Sequence, residues 1–229
     1  MLCAQIDTSH HQEHCVKSQL IKNFIAPAIL ATSGLITYRE SGFLNKIDLQ
    51  QFLQDNIGLT HTHIDDYLQY VPILAVYGLD AGGVKAKNDF YNRSALLIKS
   101  EILTLCIAYG LKHTVAELRP DGSDHLSFPS GHTAQAFMSA TLMHKEFKDK
   151  SIWYSVAAYA TATSVGLLRI LNNKHWTNDV LVGAATGIFS VNLVYLTHKH
   201  VNYKNKKTTS LLYPFSDGKY SGIGLVWQL

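Results

Sequence analysis

The sequence predicts an all-α fold: a helical bundle of about six core helices, associated with a membrane. Three observations carry that expectation. Hydrophobic residues make up 47% of the 229 and charged residues only 16%, against roughly 25% charged in an average soluble chain. Uncharged apolar runs recur along the chain, separated by short polar, lysine-bearing turns. No period-two alternation appears between them, so nothing in the core reads as a strand. A mean hydropathy of only +0.02 pulls the other way, toward a water-soluble core.

Taken in order, residues 1–22 read as a polar, weakly ordered arm. Its His10, His11, His14 and Cys15 could be drawn as a metal cluster, but a solvated arm is the expectation. Residues 23–38 are uncharged and bounded by Lys22 and Arg39. They make a first apolar helix, slightly short of the roughly 20 residues that cross a bilayer. Residues 40–66 are polar and mixed and are expected to form an amphipathic surface or interfacial region. Residues 67–79 suit a buried core helix more than a span, and Asp80-Ala81-Gly82-Gly83 ends them.

A basic patch at Lys85, Lys87 and Arg93 precedes a helix over 93–112, apolar only in its second half. Small residues from Thr133 to Met143 predict a closely packed helix. Lys145, Lys148 and Lys150 mark the next turn. Two longer uncharged runs, 151–168 and 180–197, are long enough to span or nearly span, whereas those at 67 and 102 are short. The helical domain is thus 23–200, with its chemistry in 65–200, and 201–229 is a tail. The last ten residues alternate weakly like a strand and suggest no function.

Net charge excludes one class of partner. A value of +3 without a long basic run gives no support to nucleic-acid binding. Cys3, Cys15 and Cys106 have no metal-like pairing. The polar N-terminus does not read as a secretory signal peptide, so an internal apolar helix would carry the chain to the envelope. Threading the apolar segments alternately puts Lys17, Lys22, Lys85, Lys87, Arg93, Lys145, Lys148, Lys150 and the tail lysines on one side. The positive-inside rule makes that side cytoplasmic. The loops at 112–132 and 169–179 then face outward together, on the periplasmic side of an inner membrane.

Those two loops hold the chemistry. Lys112 and Arg119 stand before a loop of Gly, Pro, Ser and Asp that closes on Pro129-Ser130-Gly131-His132 at a helix start. Ser130 and the Gly131 N–H lie where a helix N-terminus offers free donors to an anion. With two cations beside them, the expected anion is a multiply charged oxyanion, phosphate first among them. Downstream come Arg169, His175 and Asp179, the last two four residues apart and so on one helix face. No metal-binding carboxylate cluster is evident near these residues. His113, Asp124 and His125 lie close by, where they could touch substrate but are expected to be solvated, and Trp176 could line an apolar pocket or simply pack.

The three pieces resemble the type 2 phosphatidic acid phosphatase superfamily, which includes bacterial acid phosphatases and vanadium haloperoxidases. Its signature is Lys-x6-Arg-Pro, then Pro-Ser-Gly-His, then Ser-Arg-x5-His-x3-Asp. Order and internal spacing match at Lys112, Arg119-Pro120, Pro129 to His132, Arg169, His175 and Asp179. Leu168 replaces the serine before Arg169, and the loop joining the first two motifs is short.

The resemblance implies that His175 is the nucleophile, Asp179 fixes its tautomer and His132 is the acid and then the base. It assigns Lys112, Arg119, Ser130, Gly131 and Arg169 to phosphate binding, with no metal or other cofactor. The implied reaction is hydrolysis of a phosphomonoester or diphosphate. The implied substrate is a lipid-linked or small phosphorylated molecule of the phosphatidate, phosphatidylglycerol phosphate, undecaprenyl diphosphate or lipid A type. The alternatives are a soluble periplasmic acid phosphatase of broad specificity and a vanadate-dependent haloperoxidase. Nothing in the sequence speaks to oligomeric state.

Overall fold

In a computed structural model, the backbone is described over residues 8–38, 45–59, 62–201, 210–216 and 221–227, and side chains over 21–38, 45–59 and 62–201. The chain divides into two compact units, Met1–His198 and Lys199–Leu229. The first is helical, as expected. Its described elements are α1 (Thr8–Thr37), α2 (Lys46–Ile57), α3 (Ile64–Leu68), α4 (Val71–Ala81), α5 (Phe90–Val115), α6 (Gly131–Phe147), α7 (Ile152–Leu171) and α8 (Thr177–Thr197). The second contains β1 (Ser210–Ser216) and β2 (Ser221–Trp227), an antiparallel pair in register from Ser210 opposite Trp227 to Ser216 opposite Ser221. The weak alternation at the C-terminus is therefore one strand of a hairpin.

Helix α6 is the axis of the helical unit. Its Ala134, Ala136, Met138, Ala140 and Leu142 are fully buried, so the helix has no polar face to give it a period. Small residues let its neighbours approach closely. On α8, a Cβ added at Gly187 would lie 2.3 Å from the Ala134 carbonyl oxygen, and one at Gly183 would lie 2.6 Å from that of Ser130. Helix α7 closes the other side through Ala158, Ala162 and Val165, which pack with Ala136, Ala140, Met143 and Phe147 of α6 and Val76 of α4. Helix α1 lies on α8, with Gly34 against Val182 and the Phe24 and Phe189 rings 5.6 Å apart.

Three expectations need correction. The polar N-terminal stretch is not a separate arm from residue 8 onward, because α1 already begins at Thr8. The helix continues upstream through Pro27, and residues 8–26 beyond it hold no glycine or further proline. Arg93 does not belong to a basic surface patch: it is 1% exposed and pairs with Asp80 at 2.8 Å.

Helix α5 is also longer than its apolar run suggested, with Asp89 capping its start and Ala116, in a left-handed conformation, ending it. It is one of two helices long and apolar enough to cross a membrane, α8 being the other. Helix α7 matches them in length, but its tyrosines, threonines and Arg169 dilute its hydropathy.

Candidate functional site

The site lies at the end of the bundle where α5 and α7 finish and α6 and α8 begin. The Ser130 N–H donates to the Asp179 carbonyl at 3.0 Å, which locks the first turns of α6 and α8 together. Ser130 is fully buried, and its hydroxyl accepts from Thr133 at 2.9 Å. Gly131 opens α6 with open space where a Cβ would stand.

His175 is at the centre, 2% exposed. Its Nε2 faces the Arg119 guanidinium at 3.4 Å, and its Nδ1 faces Asp179 Oδ2 at 3.5 Å. That second distance is long for a hydrogen bond, because the same carboxylate oxygen already accepts from the Trp176 N–H at 2.9 Å and from the Ser127 hydroxyl. Ser127 Oγ lies 3.5 Å from the same Nδ1. Burial, with Arg169, Arg119 and Lys112 nearby, holds the His175 ring well below its ordinary pKa, so it is neutral.

The cations are held by short bonds to other groups. Lys112 Nζ donates to the Leu126 carbonyl at 2.6 Å. Arg119 donates to Asp124 at 2.8 Å and to the Lys174 carbonyl at 3.2 Å. The Arg119 bond, against a smaller opposing effect of burial, holds the Asp124 carboxyl below its usual range. Asp124 thus orients a cation, while His125 is exposed and His113 stacks on Tyr109 at 4.3 Å. Trp176 donates its indole N–H to the Leu118 carbonyl at 2.8 Å, which pins the loop.

Several residues at the site escaped the sequence reading. Ser127 is one. A buried chain from α2 is another: Lys46 meets Glu117 at 2.5 Å, and Asn178 bridges Glu117 at 3.1 Å and Asp179 at 3.0 Å. Burial and the neighbouring Asp179 charge push the Glu117 carboxyl up in spite of Lys46.

The largest omission is Asp65-Asp66 on α3. Asp65 Oδ2 accepts from Arg169 at 2.7 Å, and Asp66 Oδ1 lies 2.8 Å from His132 Nε2. Asp65, Asp66 and His132 bring donor atoms within 4.8 Å of one another. The expectation of no carboxylate cluster near the motifs is therefore corrected. Its members come from 66 and 104 residues upstream of their partners, a distance at which no local spacing signals contact.

An apolar groove leads away from the site between α1 and α5, floored by α8. It has two stretches, about 420 and 520 Å³, both bordered by Ala31, Leu111 and Val182. One also meets Val115 and Phe128, neighbours in sequence of the site loop, and the other runs on past Phe24 and Phe189. On the outer face of α5, Ile98, Ile102, Leu105 and Tyr109 are each more than half exposed.

Comparison with known proteins gives three findings. Residues 94–203 match the PAP2 superfamily. Over 142 residues the chain is 42% identical to the lipid A 1-phosphatase of Porphyromonas gingivalis, a match covering 60% of this chain and 31% of that protein. The chain thus spans about a third of the length of the curated relative it matches. The crystal structure of Aquifex aeolicus LpxE superposes with a TM-score of 0.51 at 21% identity, over 66% of this chain and 94% of that one. That likeness speaks to the fold. The motifs that suggested a family from their spacing and the bundle that assembles them agree with the match of residues 94–203 to the PAP2 superfamily.

Proposed function

We propose that the chain is a phosphatase that hydrolyses a phosphomonoester or diphosphate on a lipid, through a phosphohistidine intermediate and without a metal. The observation that carries this is His175: a buried neutral imidazole among three cations, with a carboxylate behind Nδ1. In this reading Nε2 attacks phosphorus in line, and Arg119, Lys112 and Arg169 hold the equatorial oxygens as charge spreads over them. The Gly131 N–H adds a donor at the α6 N-terminus. His132 gives a proton to the leaving oxygen, then takes one from the water that cleaves the phosphohistidine. Asp179 holds the His175 tautomer, and Ser127 and Asn178 hold Asp179.

Two observations favour a lipid over a soluble ester. The apolar groove is lined by Leu111, Val115 and Phe128, which flank the site loop in sequence, so the acyl part of a substrate would be buried there while its phosphate meets the cations. Helices α5 and α8, which border it, are the two with the length and hydropathy of membrane spans. Lys85, Lys87, Lys148 and Lys150 lie at the opposite end of the bundle, so the positive-inside rule turns the site outward from the cytoplasmic membrane. The substrate class named for the P. gingivalis relative, lipid A carrying a 1-phosphate, leads the list of lipids to test.

The test is phosphate release from a panel of lipid phosphates and water-soluble esters, with and without a chelator. The reading expects the lipids to be preferred, the chelator to change nothing and vanadate to compete. Activity that vanishes in chelator and returns with magnesium would refute it. A thiol probe at position 124 should react from outside intact cells and one at 148 should not.

A further inference from the structure

The phosphatase reading gives roles to three cations and two histidines, but leaves open what sets their positions relative to one another. His132 and Arg169 stand on different helices, α6 and α7, and neither motif contains a residue that binds the other. Both are instead held by α3, a single turn with two adjacent carboxylates. Asp65 is fully buried, with Oδ2 accepting from Arg169 Nη1 at 2.7 Å and Oδ1 accepting from Asn172 Nδ2 at 3.1 Å. Asp66 is partly exposed, with Oδ1 at 2.8 Å from His132 Nε2.

Resting on that reading, we propose that Asp65 and Asp66 are a positioning couple: Asp65 aims the Arg169 guanidinium at the phosphate, and Asp66 fixes the His132 tautomer and stabilises its charged form. A carboxylate only accepts, so the proton on Nε2 is held toward Asp66. Nδ1 is then the nitrogen that exchanges a proton with the leaving oxygen and with water. Because the two aspartates are consecutive, the acid and the cation are spaced by one rigid piece of backbone.

The same three side chains could be drawn as a metal site. The positions of the charges speak against it: Asp65 is already engaged by Arg169 and Asn172, and the guanidinium would repel a second cation. The groups that bear on His132 are Asp66 and Asp65 from α3, Arg169 from α7 and His175 across the site. His63 faces Asp66 from its outer side at 3.3 Å.

Asp66→Asn keeps shape and removes the charge. The alkaline limb of kcat, where His132 loses its proton, should move to lower pH by about one unit or more. KM should change little, and Asp66→Glu should restore much of the shift. Asp65→Asn should act on binding instead, raising KM and weakening vanadate. If the Asp65 variant fails to fold, Asp66→Asn alone decides.

A second measurement needs no turnover: titration of the His132 ring by NMR in detergent, assigned by its loss in His132→Gln. Its pKa should fall by about one unit in Asp66→Asn. An unchanged His132 pKa overturns the couple whatever the activity. A pKa that falls in a chain releasing phosphate from nothing in the panel upholds the couple and overturns the phosphatase reading. Wild-type activity lost in chelator and restored by a divalent cation makes the trio a metal site and overturns the couple.

Discussion

The two ends of the helical bundle both bury charge, and they do so in opposite ways. At the end away from the site, Glu146 is 2% exposed. It accepts from the Asn88 N–H and side chain at 2.9 and 2.7 Å and from the Tyr195 hydroxyl. Arg93 lies between Asp80 at 2.8 Å and the Tyr77 ring at 4.9 Å. Those partners are fixed side chains and backbone that no ligand would displace. At the site end, Lys112 is held by the carbonyl of an exposed loop residue, and Arg119 by the partly exposed Asp124. Those bonds lie at the surface, where a phosphate could replace them.

Breaking the site should therefore remove activity and spare the fold, and the largest effect belongs to His175. Exchange of His175 for asparagine should lower phosphate release by at least ~10⁴-fold, since no other side chain can carry the phosphoryl group. Thermal unfolding in detergent should stay within a few degrees of wild type. Stable protein that retains several per cent of the activity would end the assignment. Asp179→Asn should cost about 10²–10⁴-fold in kcat. The higher part of that range is expected, because Asp179 also accepts from Ser127 and from the Trp176 N–H.

The pH dependence sharpens the same point. Burial and three cations depress the His175 pKa well below 6.5, so the ring stays neutral as pH falls through that value. After correction for the substrate's own ionisation, kcat/KM should hold level there and fall only at lower pH. A loss with a midpoint near 6.5 would mean that His175 is not surrounded by cations as described. The far end should give the reverse pattern. Arg93→Met removes the buried guanidinium's bonds to the partly exposed Asp80 and to the Asn88 carbonyl and should cost about 1–3 kcal/mol in stability, measured by denaturation in detergent. The kcat of the folded protein should stay within about twofold, because the two ends share no partners.

The difference between the ends also governs what could be read from the sequence. Lys112, Arg119, His132, Arg169, His175 and Asp179 stand out in the sequence because residue type and spacing recur within each motif, and the fold brings them to one end of the bundle. The bundle was legible because apolar runs alternate with lysine-bearing turns. Asp65 and Asp66 looked like part of a polar surface segment, since their partners lie on α6 and α7 and only the packing of α3 joins them. Arg93 was placed on the surface by its neighbours Lys85 and Lys87, yet α4 supplies Asp80 and Tyr77 to bury it. Helix α1 was cut short because its polar start resembles an arm, yet the helix runs on through Pro27 as far back as Thr8. Periodicity reports faces, and ion pairs between distant elements leave no period.

Smaller effects come from the glycines along α8 and α5, and they grade the comparison along the bundle axis. At Gly187 an added Cβ meets backbone, Ala134 O at 2.3 Å and Met138 N at 2.6 Å, so α6 and α8 must part. Gly187→Ala should cost about 1–3 kcal/mol and leave kcat nearly unchanged, since the strain falls in mid-helix. At Gly183 the Cβ meets the Ser130 carbonyl at 2.6 Å, one residue from the α6 start. Gly183→Ala should cost comparable stability and also lower kcat, because the first turn carrying Gly131 and His132 must shift. Equal kcat in the two variants would show that the start of α6 does not set the catalytic geometry. Gly110 on α5 has open space at its Cβ and an exposed position. Gly110→Ala should stabilise by up to about 1 kcal/mol through helix propensity alone. A loss of stability there would mean that another surface covers this stretch of α5.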